Sequence, residues 1–254
     1  SLVFCNDVKI QGITMVDGGS WHMVPGACRN VEIEDVNIMS RVCTGDGIDI
    51  VGCEDVTLRN SFIRASDDCV CIKAASYPDP AANRDVKNIL VEHCVLWNAE
   101  PGNGVEIGYE VRCDEISDIT FRDLDIVHCQ YAGGVLTIHN ADRAYIHNIV
   151  YEDIRVEDAQ EKFIDIKVLD SKYSLDRSRG RVEDIFFRNI EILNGDFPVS
   201  IIRGFEMHTE MSRPQNIHFD NVVVLGKQIN SPSDLHMVVE LSNDIWFNGK
   251  VFVK

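Results

Sequence analysis

The sequence predicts an all-β fold, a right-handed parallel β-helix of about nine coils. Three observations carry that expectation: a nine-residue segment recurs along the chain, its apolar positions alternate, and a second set of short alternating segments recurs between the copies. The copies are DVKIQGITM (7–15), NVEIEDVNI (30–38), DVTLRNSFI (55–63), NILVEHCVL (88–96), DITFRDLDI (118–126), NIVYEDIRV (148–156), DIFFRNIEI (184–192) and NIHFDNVVV (216–224), with a degenerate ninth, DIWFNGKVF, from Asp244. Each opens on Asn or Asp, and each has apolar residues at the second and fourth positions, the period of two that a strand requires. Near the sixth position Asp35, Asn60, Asp123, Asp153, Asn189 and Asn221 interrupt the alternation. Asn and Asp tolerate tight turns, so a bend between two short strands is expected there. Copies begin 23 to 36 residues apart, and a unit this small cannot bury its own apolar positions. The units therefore stack along one axis.

Between the copies lie DGIDIV (46–51), DCVCIK (68–73), NGVEIG (103–108), GVLTIH (134–139), KFIDIK (162–167) and PVSIIR (198–203). Aligned on the inward Ile, they place Ile48, Val70, Val105, Leu136 and Ile164 in the core together with Ile50, Ile72, Ile107, Ile138 and Ile166. The residues between them form outward columns. One holds Asp49, Cys71, Glu106, Thr137 and Asp165; the other holds Val51, Lys73, Gly108, His139, Lys167 and Arg203. Coils stacked about 4.8 Å apart make these distant residues direct neighbours.

The whole chain, 1–254, reads as one such domain, and its 45% hydrophobic content suffices for a single core. No apolar run approaches the roughly 20 residues a bilayer needs, so no membrane partner is expected. A formal charge of −17 argues against nucleic acid and weighs against a polyanionic substrate, although a local basic patch can override net charge. Nine cysteines are too many by one for complete pairing, and their spacing matches no zinc motif. No metal and no cofactor is expected. Cys5, Cys28 and Cys53 each precede a similar segment, which suggests stacking instead of bonding.

At the entry to the second strand set, Asp46 and Asp68 occupy equivalent positions on adjacent coils, and Asp67 precedes Asp68. Three carboxylates this close cannot all ionise freely, so at least one pKa must rise. A protonated acid beside ionised carboxylates is what glycoside hydrolysis requires. β-Helix turns are commonly rich in Asp, so a single Asp here would carry no meaning; three converging ones mark a candidate site.

The order WHMVPGAC–NVEIEDVNI–TGDGIDI–DVTLRNSFI–SDDCVCIK–GNGVEIG resembles glycoside hydrolase family 28, the polygalacturonase family, densest between residues 21 and 108. That family carries Asn-Thr-Asp, Asp-Asp, Gly-His-Gly and Arg-Ile-Lys signatures on successive coils. The resemblance implies Asp67 as general acid, Asp46 and Asp68 as the groups that position and deprotonate water, and inversion of configuration. It also implies a secreted or periplasmic location, with the odd cysteine count keeping a cytoplasmic one open. Family members carry further coils and a cap ahead of the point matching Ser1, so a preceding segment, or a partner chain over the open coil end, is expected.

Departures from the signatures shape the substrate expectation. Thr44 and Gly45 stand for Asn-Thr, Asn103 for the histidine, and Thr137-Ile138-His139 for Arg-Ile-Lys, which grips the galacturonate carboxylate. Arg meets a carboxylate with two hydrogen bonds, which Thr cannot do and a partly protonated His does poorly. The expected substrate is therefore a neutral or sparsely charged polysaccharide or oligosaccharide, with Asn103, Glu106, His139, Thr137, Lys73 and Asp49 as substrate-binding candidates. Lys167 or Arg203 could restore an acidic subsite by shifting it. Trp21 is read as core packing, and Tyr109 with Glu110 as a subsite wall. Two other readings remain: an inactive β-helical carbohydrate-binding or adhesion module, and a β-helical polysaccharide lyase.

Overall fold

In a computed structural model, which describes residues 1–194, 198–207 and 210–253, the chain is a right-handed parallel β-helix. Among the described residues two sheets carry the coils. One has twelve strands, all but two pairings parallel, and is built on the nine-residue copies; the other is parallel, has nine strands and is built on the intervening segments.

The copies differ from expectation in one respect. Most form a single long strand, such as Glu115–Cys129, Tyr145–Asp158 and Arg181–Asn194, instead of two short ones. The sixth-position residue explains this. Asp123, Asp153 and Asn189 take φ of 49°, 55° and 52°, and the register skips that residue and resumes on its far side. One left-handed residue bends the strand without ending it, a conformation Asn and Asp tolerate best after Gly. The opening Asn or Asp of each copy is left-handed too, from Asp7 to Asp244. These side chains join coil to coil, as Asn30 to Asp7 at 2.6 Å and Asn88 to Asp55 at 2.6 Å.

Inside, the fourth positions form an aromatic ladder. Phe121, Tyr151, Phe187, Phe219 and Phe247 stack with ring centroids 4.9 to 5.1 Å apart. Cys28 and Cys53 form a second column, in which each sulfur accepts the backbone N–H of the previous coil's cysteine at 3.3–3.4 Å. None of the nine cysteines is bonded to another.

The short strands Ile48–Val51, Val70–Ala74, Val105–Val111, Gly134–Asn140, Lys162–Val168 and Val199–Arg203 pair in chain order. The inward column joins the core as expected. The alternate column is in register, with Asp49 beside Cys71, Cys71 beside Glu106, Glu106 beside Thr137 and Thr137 beside Asp165. It is not, however, a solvated surface: all five are buried. The next column breaks between Lys73 and Gly108. There the register shifts so that Val111 meets Ala74, which leaves Gly108, Tyr109 and Glu110 opposite the single residue Lys73. Gly108 takes a φ of 137°, and a Cβ on it would lie 2.3 Å from the His139 carbonyl oxygen, so only glycine fits this bulge.

Candidate active site

The turns that enter the short strands bring the carboxylates together. His22, on the preceding coil, lies 2.9 Å from the Asp46 carbonyl oxygen through Nδ1 and accepts the Gly18 N–H at 2.8 Å through Nε2, which fixes the first turn. Gly102 lets its turn close on the previous one, since a Cβ there would sit 2.4 Å from the Asp67 carbonyl carbon. Asn98 braces the same turn by donating to the Asp67 carbonyl at 2.8 Å. The result is a cleft of about 500 Å³ lined by Asp46, Asp67, Asp68, Asn103 and Glu106.

Lys73 reaches under the first carboxylate. Its Nζ lies 3.1 Å from Asp46 Oδ2 and 3.0 Å from Asp49 Oδ1, all three side chains being nearly inaccessible. The ammonium also sits 3.8 Å from the centroid of the Trp21 ring. Trp21 is therefore a cleft wall and cation–π partner, and it also packs against the small apolar cluster behind it. Asp49 has no exposed surface and lies behind Lys73, so it supports the site and does not meet substrate.

Asp68 accepts two hydrogen bonds on Oδ1, from the Asn103 backbone N–H at 2.9 Å and from Asn103 Nδ2 at 2.7 Å. The Asn103 amide also donates to Glu106 Oε2, and its Oδ1 accepts the Gly134 N–H at 2.9 Å. Glu106 is buried between Asn103 and His139, whose Nδ1 lies 2.9 Å from Glu106 Oε1. His139 is itself buried, with Tyr109 stacked on it at 4.4 Å. Thr137 is fully buried, and its hydroxyl donates to the Val105 carbonyl at 3.0 Å, so it is out of reach of a ligand.

Charges in this setting are displaced from their ordinary protonation ranges. Burial pushes the half-buried Asp67 up to about 8, helped by Asp68 and Asp46. Burial also raises Asp46, but Lys73 pulls against it and the group settles at about 6. Glu106 rises to about 7 through burial and the nearby Asp68. Burial opposes a charge on His139, yet Glu106 and Asp165 outweigh it and hold the imidazolium to about 9. The cluster can therefore keep one acid protonated while its neighbours are ionised.

Lys73 and His139 line the cleft as expected, but Lys167 and Arg203, the cations expected to restore an acidic subsite, are paired elsewhere. Lys167 is bound to Asp165 at 2.8 Å and Arg203 to Glu240 at 2.7 Å. Lys162 and Lys172 line the cleft instead, with Tyr173 beside them. Lys172 and Tyr173 belong to the 169–180 loop, whose Leu175 and Asp176 N–H groups both donate to buried Asp142 at 2.7 Å. Arg112 and Arg143 hold Asp176 from the other side. The signal for this loop was the 36-residue spacing after Asn148, the longest between copies. Tyr109 and Glu110 line the cleft as expected, lifted into it by the Gly108 bulge.

Fold and cleft together define a right-handed β-helix with an acidic cleft on its short-strand sheet. The model of the family "Glycosyl hydrolases family 28" matches residues 1–231, and the chain belongs to that family. An exopolygalacturonase of Zea mays is 29% identical over 202 residues, 74% of this chain and 45% of that protein. The chain thus spans just under half the length of this relative. The structure is similar to a hyperthermoactive exopolygalacturonase from Thermotoga maritima, with a TM-score of 0.72, 19% identity, and coverage of 98% of this chain and 54% of the other. It is also similar to endopolygalacturonase I from Stereum purpureum, solved with two galacturonates, with a TM-score of 0.64, 12% identity and coverage of 97% and 69%.

Proposed function

We propose that this chain forms the catalytic cleft of a glycoside hydrolase acting on a pectin-type, galacturonate-containing polysaccharide. The observation that carries the reading is the meeting of Asp46, Asp67 and Asp68 in one cleft of a family 28 chain, where burial and the two neighbouring carboxylates raise the proton affinity of Asp67. Asp67 donates its proton to the glycosidic oxygen. Asp46 and Asp68 orient a water molecule and take its proton as it attacks the anomeric carbon from the opposite face, with inversion. Lys73 keeps Asp46 ionised for that task.

The neutral-glycan expectation gives way here. The relatives' names concern polygalacturonate, and the cleft holds cations that sequence position did not reveal. Lys73, Lys162 and His139 are each paired with an acid. Lys172 is exposed at the rim, 4.8 Å from the Tyr173 ring centroid, and is the cation best placed to meet a sugar carboxylate. De-esterified polygalacturonate, trigalacturonate and a neutral galactan, scored by product mass, test the reading. Saturated galacturonides released from the first two support it. Unsaturated products indicate a lyase, and binding without release an inactive module.

A further inference from the structure

We infer that His139 is a positioning residue for the carboxylate cluster: clamped between Glu106 and Asp165, it fixes Glu106, which fixes the Asn103 amide, which fixes Asp68. The inference rests on the hydrolase reading above for its catalytic consequence, but its geometry stands apart from it.

The links are continuous. Asn103 has no freedom to turn, because its Oδ1 accepts from Gly134 and its two amide hydrogens go to Asp68 and Glu106. The remaining Glu106 oxygen, Oε1, faces His139 Nδ1. On the far side of the imidazole, Nε2 lies 3.3 Å from Asp165 Oδ2. Asp165 is anchored in turn by Lys167 at 2.8 Å and Lys162 at 3.2 Å. Four successive coils contribute, so the line crosses the sheet along its stacking axis, where backbone pairing holds the spacing.

Two departures from the family signatures acquire a common explanation. Asn103 and His139 are the two neighbours of one buried carboxylate, Glu106, and both of its oxygens are satisfied only when both neighbours are present. Losing either would strand a buried acceptor, so the two act on Glu106 as a unit.

The charges around the imidazole set its pH behaviour. Glu106 and Tyr109 face it from Val105–Val111, and Asp165 and Lys167 from Lys162–Val168. Tyr173 covers Tyr109, and Glu106 also feels Asp68 and Lys73. The imidazolium persists to about 9 and opposes protonation of Glu106, which burial otherwise favours. A protonated Glu106 accepts less strongly from the Asn103 amide, so loss of the imidazolium should loosen Asn103, and with it Asp68, at a higher pH than in the parent.

His139→Gln keeps a hydrogen-bonding side chain and removes the charge. Its kcat on polygalacturonate should fall about 10–100-fold near neutral pH with KM within about twofold, and the acid limb of kcat should move up by about one pH unit. Glu106→Gln should lower kcat comparably, and the double variant should be no worse than the poorer single one. An unmoved acid limb with near-normal kcat, or additive losses, overturns the inference. A readout independent of turnover is the Asn103 side-chain amide resonance in the unaltered protein. It should follow the His139 titration near pH 9, with the imidazole midpoint falling by a unit or more in Glu106→Gln; an amide silent to that titration overturns the inference. Absence of hydrolysis on every glycan, with the amide still following His139, removes the proposed function and leaves the positioning line standing.

Discussion

The two sheets use the same rung-to-rung register for opposite ends. On the long-strand sheet, equivalent positions hold like residues: Phe121, Tyr151, Phe187, Phe219 and Phe247 stack ring on ring. On the short-strand sheet they hold unlike ones, with Asp49, Cys71, Glu106, Thr137 and Asp165 buried in a single column. Stacked aromatics each gain from their neighbours, so the ladder stabilises the solenoid at every step. Buried carboxylates lose hydration and persist only when paired. The first column holds the coils together; the second gives up stability to hold chosen protonation states.

Breaking the carboxylate cluster at the entry to the short strands should have the largest effect. Asp67→Asn should reduce turnover by about 10²–10⁴-fold or more, while circular dichroism and ligand binding stay close to those of the parent. Near-normal turnover in that variant removes Asp67 from the mechanism. Breaking the ladder instead should act on stability alone. Phe187→Ala should cost about 3–5 kcal/mol, read by urea unfolding, because the ring is fully buried between two others. A loss nearer 1 kcal/mol would mean that the ladder does not bind coil to coil.

A smaller effect sharpens the contrast, since the same Asp67→Asn change should stabilise the fold. The folded pKa of Asp67, about 8, lies above an unfolded value near 3.9. The unfolded chain therefore releases this proton first, and the parent protein loses stability as pH rises from about 4 to about 8. The variant escapes that loss. Its melting temperature should match the parent's at pH 4 and exceed it at pH 8, with the gap widening across that interval. A gap that is constant across this range would place no raised acid at Asp67.

Much of the first column was legible in the sequence, and less of the second. Repeats with apolar residues at fixed offsets report stacking directly, so the coil order, the inward Ile column and the meeting of Asp46, Asp67 and Asp68 could all be read from spacing. Alternation also says which residues point away from the core, but not whether anything covers them. Asp49 and Thr137 were therefore read as ligand-facing, although Lys73 overlies the first and the Val105 carbonyl occupies the second. Strict alternation places Lys73 and Gly108 side by side in one outward column. The Gly108 bulge breaks that register, which frees Tyr109 and Glu110 for the cleft. Lys172 and Tyr173 were invisible because their loop has no periodicity, and its place depends on the buried Asp142 that holds it.

The pH dependence of kcat on de-esterified polygalacturonate tests the central claim most directly, because it reads the protonation states of the cleft carboxylates. With Asp46 ionising at about 6 and Asp67 retaining its proton to about 8, the profile should be a bell with its limbs near those values. A rate that climbs steadily through pH 9 contradicts the account, since the group it assigns as the acid would by then have lost its proton.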